Sequence, residues 1–314
     1  MKKNILIIST GVLSAYLAQF LLKKKYNIFV TTRKVKKKYF NFYKLGIEKK
    51  VNFLKLNILK SSSIENILET LKPDIIFYFA GQSSIVKSYL NPKQTINSNY
   101  IGCKNFLTIL KKKKLDTKFV KANSGYIFSN SNQKNLIKYR LVKPNSPYVF
   151  AQSKAFKLVN EFRRKKVNCY SAIFFNAESS LRPETFFIKK VCNFVRNNKL
   201  KKKKLRIGNI DLFRDFGWVP ELVQGAFYMT KFKPCNLMFA SGKKTSLSSI
   251  LDYIFKIKKL DYKKYIQIEK KFFRKNEIKN ISCDISETII KLKSFKWQPK
   301  IYGKKLVHKI YNNL

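Results

Sequence analysis

Acidic residues and histidine are scarce in this sequence, and both shortages restrict the chemistry that it can perform. It has 17 Asp and Glu residues against 67 Lys and Arg, a formal net charge of +50, and a single histidine, His308. Its five cysteines form no CxxC pair and show no spacing typical of metal ligands. A Ser-His-Asp triad and a His/Cys metal site are therefore disfavoured. We expect reduced, buried thiols and a cytoplasmic location.

The sequence also lacks an uninterrupted apolar segment of the length that a membrane helix needs, which is about 20 residues. Lys2 and Lys3 precede an apolar stretch from Ile5 to Leu22, but polar residues and Gly11 interrupt it. We interpret this stretch as a strand, a polar turn and a helix rather than as a signal peptide or an anchor. No membrane association is predicted.

The excess of lysine has two interpretations. A basic surface suits a nucleic acid or an anionic membrane, whereas lysine enrichment alongside Ile, Asn, Phe and Tyr is typical of compositional drift. The lysine runs at 23–25, 36–38, 111–114 and 201–204 lie at predicted helix ends and loops, where cations are favourable. We favour drift over a nucleic-acid partner, and the charge can still steer an anionic substrate to the protein.

Short aliphatic segments alternate with amphipathic ones, a pattern typical of an α/β protein. The predicted strands are 4–8, 27–32, 51–56, 74–79, 116–122 and 168–175. The predicted helices are 13–23, 62–71, 95–112, 148–165, 183–197, 219–231 and 246–258. We predict a Rossmann-like doubly wound parallel sheet with a smaller α/β C-terminal substrate lobe. The predicted domains are residues 1–176 and 177–314, with some interleaving of segments.

The segment after the first strand is a candidate dinucleotide site. A tight turn leading into a helix N-terminus binds a pyrophosphate, and such turns normally carry three glycines. Only Gly11 is present, so an ordinary strand-to-helix turn is the alternative; Thr10, Val12 and Leu13 complete the predicted contact. Arg33, after the second strand, suits the 2′-phosphate of NADP, unless it is one more surface cation. Asn57, after the third strand, is a candidate adenine contact.

Several short motifs follow one another over nearly the whole chain. They are Pro73–Ser84, Asn99–Gly102, Ser146-Pro147-Tyr148, Asn176–Ser179, Arg182–Phe186, Gly208–Asp211, Arg214–Trp218, Arg274 with Glu277, and Trp297-Gln298-Pro299. In this order they resemble the motifs of GDP-mannose 4,6-dehydratases, within the NAD-dependent epimerase/dehydratase branch of the extended short-chain dehydrogenase/reductases.

The resemblance implies a reaction and a set of contacts. A bound NADP, or NAD, takes a hydride from C4 of a nucleotide-linked hexose, a carboxylate removes the C5 proton, water leaves C6, and the hydride returns to C6. Ala80 and Gln82 are then expected at the cofactor. Ser83, Asn176, Lys190, Arg214, Arg274 and Glu277 are expected at the nucleotide diphosphate-sugar. A homodimer or a homotetramer is also implied.

The catalytic positions depart from the family pattern. The active tyrosine corresponds to Tyr148, and its hydroxyl must lose a proton, which requires roughly 4 kcal/mol of help at neutral pH. The family supplies a lysine four residues later, where this sequence has Gln152; Lys154 lies about 200° further around the helix. Ser124 corresponds to the family's sugar-binding Ser or Thr. Tyr126 replaces the glutamate that handles the C5 proton.

Three functions are compatible with these residues. The first is a working nucleotide-sugar dehydratase, epimerase or reductase with rearranged catalytic groups. The second is a catalytically impaired relative that binds a nucleotide sugar or a partner enzyme. The third, which we rank last, is a nucleic-acid binder built on the same fold. The third predicts RNA binding that weakens steeply as salt is added, because phosphate contacts dominate such binding. Salt-insensitive or absent RNA binding would remove it.

Overall fold

The computed structural model describes residues 2–128, 140–197, 204–273 and 277–314. The strands are β1 Asn4–Ile8, β2 Asn27–Thr32, β3 Asn52–Lys55, β4 Ile75–Tyr78, β5 Lys118–Ser124, β6 Cys169–Phe174, β7 Asn176–Glu178, β8 Leu205–Ile207, β9 Phe213–Trp218, β10 Asn236–Phe239, β11 Lys244–Ser246, β12 Ile266–Ile268 and β13 Asn280–Ile281.

The helices are α1 Val12–Leu22, α2 Phe40–Lys44, α3 Ser61–Leu71, α4 Ile85–Leu90, α5 Pro92–Ile96, α6 Gly102–Lys112, α7 Pro147–Arg164, α8 Phe187–Arg196, α9 Val219–Tyr228, α10 Leu247–Lys256, α11 Ser286–Lys291 and α12 Gly303–Asn312. The chain divides into two units. Unit 1 contains the described residues of 2–128, 140–174 and 223–238, and unit 2 contains those of 175–222 and 239–314.

Unit 1 is built on one sheet with the strand order β10-β6-β5-β4-β1-β2-β3. The pairs from β6 to β3 are parallel. The chain moves outward from β1 to β3 and then returns to the other side of β1 with β4, so β1 and β4 flank the topological switch point. The predicted Rossmann-like doubly wound sheet is confirmed, and the aliphatic runs of β1 and β4 are buried on both faces, as parallel strands require.

Amphipathic helices cover the sheet of unit 1. The apolar stripes of α3, α6 and α7 join Leu6, Ile76 and Phe119 of the strands in one buried cluster. On α1, Phe20 meets Phe227 and Tyr228 of α9 edge to face, with ring centroids 5.6 and 5.8 Å apart. Each helix thus buries its apolar side while its polar side stays in solvent, which is what the 3.6-residue pattern of the sequence predicts.

The predicted helix at 95–112 is divided in the structure. It contains α5, a π-helical turn at Asn97–Ile101, and α6. The Tyr78 hydroxyl at the end of β4 donates to the Ser98 carbonyl inside this turn at 2.8 Å. A π turn adds one residue to the helical repeat and redirects the side chains that follow, so the apolar periodicity alone does not reveal it.

Unit 2 is a smaller α/β unit. Strand β9 is paired with β7, β11 and β13, while β8 pairs with β12. Helices α8, α10 and α12 pack together in a second buried cluster. The predicted helix at 183–197 begins only at Phe187, because a turn closed by the Phe186 N–H and the Pro183 carbonyl precedes it. Within the described ranges, no helix is long and apolar enough to cross a membrane.

Asp215 organises the turn at Ser241 and Gly242, which precedes β11 of unit 2. Its carboxylate is fully buried and accepts hydrogen bonds from the Ser241 N–H at 2.7 Å, the Ser241 hydroxyl at 2.6 Å and the Gly242 N–H at 2.9 Å. Burial raises the pKa of Asp215 to about 6, against the lowering effect of these hydrogen bonds. The turn therefore depends on an acceptor at this position.

Replacing this carboxylate tests its structural role. We expect Asp215→Ala to lower the free energy of unfolding by about 3 kcal/mol, because buried N–H groups lose their acceptor. The exposed Asp211→Ala is the matched control and should change stability by less than about 0.5 kcal/mol. Urea unfolding followed by circular dichroism measures both, and equal effects of the two variants would contradict the assignment.

Candidate active site

The carboxyl edge of the unit 1 sheet collects the residues that follow its parallel strands. Thr10–Leu13 follow β1, Arg33 follows β2, Asn57 follows β3, and Ala80 and Gln82 follow β4. Ser124 ends β5, and Tyr148 lies in the first turn of α7, which runs back along the sheet. The sequence motifs of unit 1 thus meet at one edge, where ligands bind in open parallel sheets.

The turn after β1 is shaped to accept an anion. Ser9 has a φ of +136°, and its hydroxyl accepts the Gly11 N–H at 2.9 Å. Asn41 holds the turn from the side by donating to the Thr10 carbonyl at 3.1 Å. Helix α1 then starts at Val12 with no acidic residue in its first turn. Its leading N–H groups have no acceptor within the helix and so remain able to bind an anion.

The other predicted cofactor residues differ in whether their side chains already make hydrogen bonds within the protein. Arg33 is exposed, whereas the Asn57 side chain accepts the Leu59 N–H of its own loop at 3.0 Å. Gln82 donates to the Ser84 carbonyl at 2.7 Å and accepts from the Ser84 N–H. Ser83 lies exposed in the same loop. Arg33 therefore has the greater freedom to meet a ligand, while Gln82 first shapes the loop.

Ser124 and Tyr148 occupy well-defined positions at the ends of their elements. The Ser124 hydroxyl accepts the Tyr126 N–H at 3.3 Å, which turns the chain at the end of β5 and leaves Tyr126 half-buried. Helix α7 starts because the Ser146 hydroxyl caps the Val149 N–H at 3.2 Å and Pro147 occupies the first helical position. Tyr148 is held in this first turn and is buried, with 7% of its surface exposed.

Gln152 belongs to a buried chain of side-chain amides. Its Nε2 donates to Asn99 Oδ1 at 2.9 Å, and its Oε1 accepts from Asn123 Nδ2 at 3.2 Å. Backbone carbonyls fix both ends of the chain, since Asn99 Nδ2 donates to the Thr95 carbonyl and Asn123 Nδ2 also donates to the Gln152 carbonyl. The orientation of every amide in this chain is therefore determined.

Gly81 makes room for this amide chain. A Cβ atom at position 81 would lie 2.2 Å from Asn99 Oδ1, closer than any non-bonded contact allows. Asn99 Nδ2 also donates to the neighbouring Gln82 carbonyl at 3.2 Å. The loop after β4, the π turn and α7 are thus joined through Asn99.

Lys154 and Lys121, on the elements that carry Tyr148 and Ser124, lie in opposite environments. Lys154 is on the exposed face of α7, with its amine 5.7 Å from the centre of the Phe150 ring. Lys121 in β5 is 1% exposed, and burial lowers the pKa of its amine to about 8. Its amine donates to the Ala122 carbonyl and lies 5.6 Å from the centre of the Tyr78 ring.

The sequence analysis did not identify Lys121 or Asn123 as functional residues. The alternation of side chains along a strand places Phe119, Lys121 and Asn123 on one face of β5. Because Phe119 is an obvious core residue of a parallel strand, this alternation already indicated that the lysine and the asparagine are buried. A lysine at such a position is rare enough to mark a candidate functional group.

In unit 2, two of the predicted substrate residues are in contact. The guanidinium of Arg214 lies 3.4 Å from the Glu277 carboxylate and donates to the carbonyls of Phe213 and Lys279 at 2.7 and 3.1 Å. Lys190 in α8 donates to the Arg206 carbonyl at 2.8 Å. Asn176 starts β7, beside β9, and its buried Oδ1 has no partner within the described residues. Arg274 lies outside the described residues.

Glu178 is a second buried carboxylate of unit 2. It ends β7 at 4% exposure, and burial raises its pKa to about 7, although Arg182 at 3.8 Å opposes the shift. The Arg182 guanidinium in turn stacks 3.4 Å from the centre of the Phe186 ring. The five cysteines are free, and the described part of the chain contains no group of three or more metal-ligating side chains suited to an ion.

The family model described as GDP-mannose 4,6 dehydratase matches residues 9–310, nearly the whole chain. The chain belongs to this family. The resemblance inferred from the short motifs is confirmed. Residues 9–310 include the carboxyl edge of unit 1 and the Arg214–Glu277 pair of unit 2, so both candidate sites lie within the matched segment.

Individual relatives agree with this assignment to the dehydratase family. GDP-mannose 4,6 dehydratase 1 of Arabidopsis thaliana is 27% identical over 313 residues, 95% of this chain and 85% of the relative. GDP-mannose 4,6-dehydratase of Vibrio cholerae is 26% identical over 270 residues, 80% of this chain and 71% of the relative.

The fold is also similar to that of solved structures. The dTDP-glucose 4,6-dehydratase of Bacillus anthracis, solved in complex with NAD, has a TM-score of 0.82 at 16% identity, with 99% of this chain and 96% of that one covered. The UDP-glucose 4-epimerase of Thermotoga maritima, solved with UDP-glucose, gives 0.82 at 17% identity, covering 99% and 98%. At such identities the likeness shows the fold alone.

The pKa of Glu178 predicts how stability depends on pH. The folded pKa is about 7, above the usual 4.5, so the folded state keeps the Glu178 proton up to a higher pH than the unfolded state does. The resulting stabilisation is fully present below pH 4.5 and is lost as the pH rises through about 7. We expect Glu178→Gln to remove about 3 kcal/mol of this pH dependence, because one pKa unit corresponds to about 1.4 kcal/mol.

Chemical unfolding at pH 5, 6, 7 and 8 measures this change. The exposed Glu184→Gln is the matched control and should leave the profile of the native chain unchanged. Parallel profiles for the native chain and Glu178→Gln would show that Glu178 does not titrate in this range.

Proposed function

We propose that this protein binds NAD(P) at the carboxyl edge of unit 1 and acts on GDP-mannose or a related nucleotide-linked hexose. The observation that carries the proposal is the match of a nucleotide-sugar dehydratase family over residues 9–310, combined with Ser124 and Tyr148 at one edge of the sheet. NADP is the proposed cofactor, because Arg33 is exposed after β2 and no acid stands beside it.

The residues present fit a dinucleotide. The N-terminus of α1 suits the pyrophosphate, since its first turn carries no acid and its leading N–H groups are available. Arg33 suits a 2′-phosphate, and Ala80 borders the switch point beside β1. A dinucleotide held by these residues would supply a nicotinamide as the reversible hydride acceptor for C4 of the hexose.

In this proposal Tyr148 takes the proton of the C4 hydroxyl, and Ser124 holds that hydroxyl by a hydrogen bond. Gln152 is neutral, so it orients groups without lowering the pKa of Tyr148 by its own charge. The exposed Lys154 is also unsuited to this task, because solvent screens a charge on the outer face of α7. Neither residue supplies the charge that the family places four residues after the tyrosine, so we expect slow hydride transfer.

The elimination step is the part that the residues support least. Position 126 holds a half-buried tyrosine where the family resemblance implies a carboxylate. A phenol accepts a proton only in its ionised form, and forming that ion near neutral pH costs free energy, whereas a carboxylate is already ionised there. An epimerase or a reductase, which needs no carboxylate at this position, is therefore the second candidate activity.

A catalytically impaired relative that binds a nucleotide sugar or a partner enzyme is the alternative outside catalysis. The position of Arg214 favours it, because its guanidinium is 4% exposed and is engaged by Glu277 and two carbonyls. Such an arrangement stabilises unit 2 whether or not a reaction takes place.

Turnover with GDP-mannose tests the proposed activity. Purified protein with NADP, or with NAD, is expected to yield a 4-keto-6-deoxy sugar or a C4-altered hexose, measured by mass spectrometry over pH 7 to 10. Tyr148→Phe should lower the rate at least about 100-fold, because it removes the acid-base group. The exposed Tyr43→Phe is the matched control. Product at an equal rate from both variants would refute the role of Tyr148.

Thermal unfolding separates the impaired relative from an enzyme. A ligand that binds only the folded state raises the unfolding temperature. A shift with GDP-mannose, without product under any condition above, supports the impaired relative. If neither product nor a shift is found with NAD(P) or a panel of nucleotide sugars, the proposed function is wrong.

A further inference from the structure

Two buried polar groups on one face of β5 lack partners that the fold would normally provide. The Lys121 amine has three hydrogens, and its hydrogen bond within unit 1 is to the Ala122 carbonyl. Asn123 Oδ1 is buried and has no hydrogen-bond partner in the described part of the chain. A buried ammonium and a buried amide oxygen each cost free energy when they are unpaired, so their proximity requires an explanation.

The strand geometry brings these two groups together. Lys121 and Asn123 are two residues apart on β5, so their side chains leave the same face of the sheet. The buried cluster that α6 and α7 cover lies on this face of the sheet. Standard bond lengths put the Cα of Asn123 within roughly 6 Å of an amine that is bonded to the Ala122 carbonyl. The link that we infer between the amine and Asn123 Oδ1 is a rotation of the lysine side chain or one bridging water.

The amide chain is oriented to receive a cation at this end. Reading from Asn123, each amide donates to the next, from Asn123 Nδ2 to Gln152 Oε1, from Gln152 Nε2 to Asn99 Oδ1, and from Asn99 Nδ2 to the Thr95 carbonyl. The dipoles therefore point the same way, and the open acceptor is Asn123 Oδ1. A cation that donates to this acceptor polarises the whole chain and strengthens its N–H donors.

We infer that Lys121 is a positioning residue, whose ammonium acts through Asn123 on the side-chain amide of Gln152. Only one of the two Nε2 hydrogens of Gln152 goes to Asn99. The second hydrogen is the donor that this chain offers to a bound hydroxyl group, one helical turn from Tyr148. The positive charge that acts on Gln152 thus comes from Lys121 of β5 instead of from a lysine of α7. This inference rests on the proposed function, because the hydroxyl belongs to the dinucleotide of that proposal.

Among the described residues, the titratable groups found to interact with Lys121 do not change their charge near neutral pH. Tyr78 of β4 faces the amine, and burial keeps the pKa of its hydroxyl well above 10. Cys103 of α6 interacts with it electrostatically, and burial raises the pKa of that thiol to about 12. Cys169 of β6, which lies near Cys103, also has a pKa raised to about 12. A titration of the amide chain between pH 7 and 9 therefore reports Lys121.

Nuclear magnetic resonance of the Gln152 side-chain amide tests the inference without measuring activity. Protein labelled with ¹⁵N in glutamine side chains is titrated from pH 6.5 to 9.5, and Gln152→Met identifies the resonance. We expect its shift to follow one titration step with a midpoint near 8. Lys121→Met and Asn123→Leu should each abolish this step, the first by removing the charge and the second by removing the link. Lys111→Met, an exposed lysine of α6, is the matched control and should keep the step.

Fluorescence titration with NADPH, and with NADH, measures the consequence for binding. Lys121→Met is expected to weaken dinucleotide binding about tenfold, while its unfolding temperature is unchanged or raised, because a buried charge has been removed. If Lys121 had only a structural role, Lys121→Met would lower the unfolding temperature and leave the pH step of Gln152 intact in the folded fraction. If the chemical shift of the Gln152 amide in the native protein does not change with pH, the inference is wrong.

The two proposals fail in distinguishable ways. If the native protein binds NADPH or NADH but the Gln152 resonance does not respond to Lys121, the inference is wrong and the proposed function stands. If the Gln152 step is present and depends on Lys121 but neither dinucleotide binds, the electrostatic coupling is established and the proposed function is wrong.

Discussion

The hydrogen bond from Gln152 Nε2 to Asn99 Oδ1 is the constraint on which the arrangement of the carboxyl edge depends. It joins α7, which carries Tyr148, to the π turn between α5 and α6. Through Asn123 it also fixes α7 to β5, beside Ser124. The two elements that carry the candidate catalytic hydroxyls, α7 and β5, are thus held together by uncharged amides. One of these amides is Gln152, at the position where the family resemblance implies a charged lysine. Rigid placement is preserved while the local electrostatic field is altered.

Scarcity of acids governs where the remaining carboxylates are found. In a chain with 17 acidic and 67 basic residues, several carboxylates are committed to buried or half-buried structural contacts. Asp215 holds a turn, Glu277 meets Arg214, and Glu221 accepts the N–H groups of Lys300 and Ile301. Basic residues outnumber acidic ones by 50, so most basic side chains cannot have a carboxylate of their own. Such a surface attracts anions over long distances, and this attraction weakens as salt is added.

The sequence predicted six of the seven strands of the unit 1 sheet and missed β10. Buried parallel strands appear as short aliphatic runs, which can be recognised without knowledge of their neighbours. The ends of β1 and β2 agree with prediction to the residue. Unit 2 was predicted less completely, since β7, β8 and β11–β13 have two or three residues each and carry no periodicity. For the candidate site, Ser124, Tyr148 and Gln152 followed from motif resemblance. The π turn and the burial of Lys121 depend on packing between distant segments, which spacing along one chain does not encode.

The closeness of Gly81 to Asn99 has a consequence for how this site can change over generations. Any side chain at 81 collides with the Asn99 amide, and moving that amide releases Gln152. Residues 81, 99, 123 and 152 share contacts, so we expect the effects of substitutions at these positions to be non-additive. Such positions are expected to change together during evolution rather than one at a time.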